Sequence, residues 1–259
     1  MNTEKTAALL SLSSSLGVRV SMLNEIDSTN EEARRQANAA LPTPALIIAS
    51  SQTNGRGRMG RSFHSPAESG LYMSYLAPAK QSIEDTVRLT TAAAVATALA
   101  IEEIYGIKAE IKWVNDILVN AKKVCGILCE SFRAENGERF AVIGIGVNIS
   151  TTDFPEELRD RAASLSDNSN KKYALASALL KRLDAFYQNP KDTKIMTVYK
   201  ERSAVLGRRV RLISGGDETL ATATDIEDDG TLCVTLDSGE TRKIHSGEIT
   251  LRFDNGKEI

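Results

Sequence analysis

Residues 55–61 read Gly-Arg-Gly-Arg-Met-Gly-Arg, three glycines and three arginines in seven positions with no acid among them. Glycine lets a backbone reach positive φ and lie close against a ligand. Arginine carries a permanent charge on a rigid fork that matches carboxylate and phosphate oxygens. A run so composed forms a loop suited to closing over a small anion. The competing readings are a solvated basic loop and a nucleic-acid contact. The loop follows Ala45-Leu46-Ile47-Ile48-Ala49, a short buried strand, so one end of it is fixed to a core element.

Charge separates these readings. The formal net charge of the chain is -2, so nothing draws it globally toward nucleic acid or an acidic membrane. The basic loop is a local feature, which favours a small anionic ligand. With 259 residues, 42% hydrophobic and 25% charged, the chain has the composition of a globular protein with a large domain and a small one. Three cysteines cannot all pair, and none sits at metal-ligand spacing with a histidine. Cys125 and Cys129 lie in an apolar run and read as core thiols in a reducing compartment. No signal-peptide pattern opens the chain, and no apolar run approaches about 18 residues. A cytoplasmic location is the expectation.

The pattern of elements is mixed. A helix is expected over 29–40, with Asp27 or Ser28 as its N-cap. A strand over 71–76 ends at Pro78. Ser82 and Asp85 form a capping box before an Ala/Thr-rich helix that Gly106 stops. Strands follow at 109–113, 116–119 and 124–132, and Asn136-Gly137 turns the last of these into another over 140–149. Helical periodicity runs over 155–163, 171–187 and 193–205. After Gly207 the texture changes to short strands at 208–213, 219–226, 231–236, 242–245 and 249–252, separated mostly by Gly-containing turns. That spacing predicts a small antiparallel barrel. The fold class is therefore α/β (α+β): a mixed-sheet domain over 1–206, then a small barrel over 207–259.

Four further patterns accompany the loop: Asp27-Ser28-Thr29-Asn30, Lys112-Trp113-Val114-Asn115-Asp116, Lys123-Val124-Cys125-Gly126-Ile127-Leu128-Cys129-Glu130 and Gly144-Ile145-Gly146-Val147-Asn148. In this order, from about Leu23 to Arg252, the set resembles the biotin protein ligase family. One position departs from it, since Val114 stands where the family usually carries proline. The resemblance implies a catalytic domain of the biotin/lipoate ligase type and an SH3-like C-terminal barrel. It implies a two-step reaction. The biotin carboxylate attacks the α-phosphate of ATP to give biotinyl-AMP and diphosphate. A lysine of a biotin carboxyl carrier protein, as in the acetyl-CoA carboxylase system, then takes the biotinyl group. About twenty residues precede the first pattern, which is short for the winged helix that repressor members carry, so no DNA binding is expected. Nor is a membrane partner expected. The resemblance also implies a homodimer through the catalytic domain.

Residue roles follow from the same resemblance. Arg58 and Lys123 are the expected catalytic pair, facing the biotin carboxylate and the acyl-phosphate junction. Ser28, Thr29, Asn30, Gln52, Gly55, Arg56, Gly57, Gly126 and Leu128 join them at biotin. Neutral donors and acceptors suit a ureido ring, which must keep its hydrogen bonds when buried. Arg58, Arg61, Lys112, Asn115, Asp116 and Asn148 are assigned to ATP, and Asp116 to Mg²⁺ held through the nucleotide. Cations beside the reacting anions offset the repulsion of a carboxylate approaching a phosphate. Trp113 reads as packing; His64 and His245 are isolated.

Two other functions compete. A lipoate or octanoate ligase shares the catalytic fold, but the Arg-Arg-x-Ser-Gly-Gly-Gly pattern of lipoate ligases is missing. An RNA-binding module would use the loop on phosphates. It calls for a basic domain with exposed aromatics, whereas this chain is slightly acidic and 5% aromatic. No Gly-Lys-Ser/Thr follows a glycine loop, as a P-loop requires.

Overall fold

Alternation along one central strand organises the molecule. In β7 (Arg139–Asn148), Ile143, Ile145 and Val147 point to one face of the sheet and Gly144 and Gly146 to the other. A computed structural model describes residues 3–79, 86–166, 168–189, 192–214, 217–245 and 248–251. It places β7 at the centre of a seven-stranded sheet with β1 (Arg19–Ile26), β2 (Ala45–Gln52), β3 (Gly70–Pro78), β4 (Glu110–Lys112), β5 (Asp116–Val119) and β6 (Lys122–Arg133). The order is β1-β2-β3-β7-β6-β5-β4. The β1–β2 pair is parallel, with α2 (Thr29–Asn38) as its crossover; the other pairs are antiparallel.

The isoleucine face is the core. Three helices cover it: α1 (Thr3–Ser15), α3 (Thr86–Tyr105) and α4 (Lys172–Gln188). The run Ala92–Ala94 of α3, with Ala96, Ala98 and Ala100, is buried, and these small side chains let the helix lie close to the sheet. Gly106, at φ +69, ends α3 as expected. On the opposite face, Ala33 and Ala37 of α2 pack on Ile47, Leu76, Phe140 and Val142. Beyond the end of α2 that face is glycine, and there the site lies.

The C-terminal strands β8 (Arg209–Ser214), β9 (Asp217–Ile226), β10 (Leu232–Leu236), β11 (Thr241–Ile244) and β12 (Glu248–Leu251) form a second sheet, order β11-β10-β9-β8-β12, antiparallel throughout. Its inner residues Val210, Ala221, Ile226 and Val234 join the main hydrophobic core, so the two sheets share one apolar interior. Among the described residues no helix is long and apolar enough to cross a membrane.

One element was unread and two expectations change. Residues 1–20 contain α1, hidden in the sequence by serines that have low helix propensity; burial of Leu9 and contact with α4 and β1 hold it. The 155–163 helix is only a 3₁₀ turn over Glu156–Leu158, because the backbone beyond it bonds to the sheet edge: Lys123 N donates to Arg161 O and Ala163 N to Lys123 O. The last helix, α5 (Lys194–Glu201), stops early for the same reason: Ile111 N donates to Arg202 O and Ala204 N to Ile111 O. The Ser82/Asp85 capping box lies outside the described residues.

Candidate active site

Two adjoining clefts open on the glycine face. The smaller is lined by Ser28, Thr29, Asn30, Gln52, Leu128 and the glycines of β6 and β7. Register explains the hollow. Gly126 pairs with Gly146 and Gly144 with Leu128, so three glycines sit where neighbouring strands carry side chains. A β-carbon on Gly144 would overlap Asn30 Oδ1. The void is therefore used by the start of α2. Ser74 Oγ donates to Asn30 Oδ1 at 2.6 Å and lies 2.8 Å from Thr29 Oγ1. Asn30 Nδ2 donates to Glu130 Oε2 at 2.8 Å. Gln52 Oε1 accepts from Thr29 N at 2.9 Å, and Gln52 Nε2 donates to Ser65 Oγ at 2.8 Å. Ser28 is the N-cap residue, yet its buried side chain makes no capping hydrogen bond. Asp27 instead holds Arg35 through both carboxylate oxygens, at 2.7 and 3.0 Å. That pairing lowers the Asp27 carboxyl below its ordinary value.

The larger cleft, about 490 Å³, lies beside it and shares Arg56, Phe63 and Gly126 with it. One wall is the Arg/Gly loop. Gly57 N donates to Arg61 O at 2.7 Å, Gly60 turns the tip at φ +76, and Arg56 bridges to Ser62. Arg56 pairs with Glu31 of α2. A side chain on Gly55 would overlap Phe63 O, so the base of the loop also requires glycine.

A bulge arms the opposite wall. Strands β5 and β6 are joined through Asn120 and Ala121, both at positive φ, as a tight hairpin turn requires. The register slips between Ile117 and Leu118, so Ile117 faces Cys125 while Leu118 faces Lys123. Strict alternation would send Lys123 into the core with Cys125 and Ile127. The extra residue, Val124, turns it to the glycine face. There Lys123 Nζ lies 2.8 Å from Asp116 Oδ1, and Lys112 stands opposite Asp116 across β4–β5. Asn115 Nδ2 donates to Ile127 O at 2.9 Å, while its Oδ1 accepts from Arg58 Nη1 at 3.3 Å. One amide thus anchors an arginine of the loop to the sheet.

Residues 22–148 match the model of the biotin/lipoate A/B protein ligase family, and residues 205–252 that of the biotin protein ligase C terminal domain. The chain is 36% identical over 234 residues to the bifunctional ligase/repressor BirA of Bacillus subtilis, covering 87% of this chain and 72% of the relative. The chain belongs to the biotin protein ligase family. It is 29% identical over 242 residues to a biotin–[acetyl-CoA-carboxylase] ligase of Mycobacterium tuberculosis, over 89% of this chain and 88% of that protein. The biotin protein ligase from Aquifex aeolicus, solved in complex with biotin and ATP, superposes with a TM-score of 0.77 at 27% identity, covering 90% of this chain and 98% of that one.

Against this family's expected site, the fold brings most of the named residues to the two clefts. Ser28, Thr29, Asn30, Gln52 and Leu128 line the first; Gly57, Arg58, Arg61, Lys112, Asn115, Asp116 and Lys123 line the second; Arg56 and Gly126 line both. Asn30 is committed to Glu130, Leu128 O and Ser74, and so supports the pocket floor. Gly55 lines neither cleft, and neither does Asn148, which is buried and takes Leu165 N on its carbonyl. Trp113 is buried, as read, but also borders the larger cleft. Its peptide bond to Val114, the position of the family's proline, is cis. Sequence reading missed Phe63, Leu158, Arg161 and three residues of the C-terminal sheet, Arg211, Ile213 and Glu218. None of them carries a local signal in the sequence; Phe63 is simply an aromatic two residues beyond the last loop arginine. Cys125 and Cys129 are free thiols, and burial pushes Cys129 up to about 12 and Cys125 further. His64 donates to Asp153 O at 2.9 Å and His245 lies 3.0 Å from Thr231 Oγ1, both spent on local structure.

Proposed function

We propose that this chain activates biotin with ATP and transfers it to a lysine of a biotin carboxyl carrier protein. One observation carries the reading: a polar ring pocket runs into a cationic cleft, and Arg56 and Gly126 belong to both. A ligand with a buried urea at one end and a carboxylate at the other would place that carboxylate between Arg58 and Lys123. Ser28, Thr29 and Gln52 offer hydrogen bonds to the urea. Arg61 and Lys112 reach toward the phosphates.

In the first step a biotin carboxylate oxygen forms a bond to the α-phosphorus, and the bond from that phosphorus to the bridging oxygen breaks. Diphosphate leaves with the electron pair. Positive charge fixed on both sides of the junction stabilises the charge that develops there. In the second step the carrier's amine attacks the acyl carbon, AMP leaves, and the amine loses a proton. No described cluster of three or more His, Cys, Asp or Glu could cage a metal. A single half-buried carboxylate, Asp116, with the nucleotide's oxygens fits Mg²⁺, which is commonly held by one or two carboxylates plus phosphates. The ion would neutralise phosphate charge. The boundary near residue 206 divides a catalytic unit from a C-terminal unit that contributes Arg211 and Glu218 to the cleft wall.

Exchange of labelled diphosphate into ATP tests the reading. Exchange that depends on biotin, and fails with lipoate or octanoate, is the expected result. Exchange with lipoate, or none with biotin, would refute it.

A further inference from the structure

One side chain of this protein, Phe63, fills part of the smaller cleft. Phe63 lies on the bare floor made by Gly126 and Gly146, a directly paired couple of β6 and β7. A β-carbon on Gly146 would stand 2.5 Å from Phe63 Cε1, and one on Gly126 would stand 3.1 Å from Cε2. Tyr72, paired with Gly146 from the other side, meets the phenyl ring edge-on, with centroids 6.4 Å apart and planes at 70°. With Phe63 there the remaining void is about 30 Å³. That holds about two waters, and no fused ring system.

We propose that Phe63 is a plug that a ring-bearing substrate must displace. The inference rests on the biotin reading above. The two glycines provide a flat apolar bed, and the phenyl ring occupies it as a flat ligand ring would. The plug is lightly held. Phe63 is only half-buried, and its backbone N–H is tied to Gly55 O at 2.8 Å. Gly55 and Phe63 are the two feet of the Arg/Gly loop, and Arg56, beside Gly55, is held by Glu31. Pushing the ring off its bed therefore pulls on the loop that carries Arg56 and Arg58. Entry of the ring and rearrangement of the cationic loop become one event. The plug-out form is the binding-competent one, so its population scales the apparent affinity.

A side chain that plugs the pocket and one that merely walls it give opposite results on truncation. Biotin association is followed by stopped-flow fluorescence of Trp113, which borders the adjoining cleft. For Phe63→Ala the plug requires an association rate constant raised about tenfold, with Phe63→Leu between the two. An unchanged or lower association rate in a folded Phe63→Ala protein, with faster dissociation alone, would make Phe63 a wall and overturn the proposal. Phe63→Leu gives the same discrimination if the alanine variant fails to fold. Biotin binding by the wild type with no rate increase in either variant removes the plug and leaves the function standing. No biotin binding by any of the proteins overturns both.

Discussion

Trp113 Nε1 donates to the carbonyl of Gly230 at 2.9 Å, joining the Lys-Trp-Val-Asn-Asp segment to the Asp-Gly turn of the C-terminal sheet. Gly230 sits at φ +87, and a β-carbon there would come within 2.6 Å of Val87 in α3. The turn is thus pressed against the core from two sides. Trp113→Phe keeps one aromatic ring and leaves the buried carbonyl without its donor, a loss that alone costs about 1–3 kcal/mol. The expected outcome is a lower urea midpoint at unchanged slope. An unchanged midpoint would mean that water or another donor replaces the indole.

Gly144→Ala tests the pocket floor. The added methyl meets Asn30 Oδ1, an atom fixed by Ser74 and backed by the Nδ2 bond to Glu130. The collision cannot be relieved by a simple rotamer change. Overpacking of this kind costs about 1–3 kcal/mol, and here it also shifts the start of α2, where Ser28 and Thr29 lie. Isothermal titration should show biotin binding weakened at least about tenfold. Unaltered affinity together with unaltered stability would show that the helix start can slide.

The outline of the fold was legible because its signals are local. Asn136-Gly137 turns β6 into β7, Gly106 ends α3, and the Gly-punctuated strands after Gly207 form the second sheet. The candidate site's residues stand in the sequence as a set of motifs, and most of those residues line the two clefts. What escaped depends on long-range pairing. The backbone of 161–163 is drawn to Lys123 and that of 202–204 to Ile111, and no periodicity in either segment announces this. The bulge at Val124 is likewise invisible in sequence, yet it aims Lys123 at Asp116. Phe63 was passed over because an aromatic beside a loop signals nothing until the glycine bed beneath it is seen.

Asp27 ties acid stability to the start of α2. Its carboxyl is held below the ordinary value of 3.8, chiefly by the hydrogen-bonded Arg35. A depressed carboxylate contributes stability above its unfolded pKa and loses it as pH falls through the folded one, so the loss belongs below about pH 4. Both partners are nearly half exposed, at 45% and 48%, so the pair is worth about 0.5 kcal/mol. Asp27→Asn should lower the urea midpoint slightly at pH 7 and match the wild type near pH 2. Curves that stay parallel from pH 7 to 2 would remove Asp27 from the acid transition.

Lys123→Gln separates charge from packing. The glutamine leaves a shorter, neutral polar end facing Asp116 and removes the cation from the junction. Loss of one preorganised stabilising group costs about 10²–10³ in rate. Biotin-dependent diphosphate exchange should fall by that factor while biotin affinity changes less. An equal loss in both would place Lys123 in ground-state binding only.

Arg58→Gly tests retention of the intermediate as well as its formation. Arg58 is hydrogen-bonded to Asn115 of the sheet, which holds its charge on the wall of the larger cleft. An acyl-adenylate is a mixed anhydride, stable only while water and stray amines are kept out. With glycine at position 58 the anchor between loop and Asn115 is gone, and the adenylate escapes before the carrier arrives. Diphosphate release should then outrun carrier labelling, and bystander proteins mixed into the assay should become biotinylated on exposed lysines. Wild-type coupling, one labelled carrier per diphosphate with clean bystanders, would assign retention to the other loop residues.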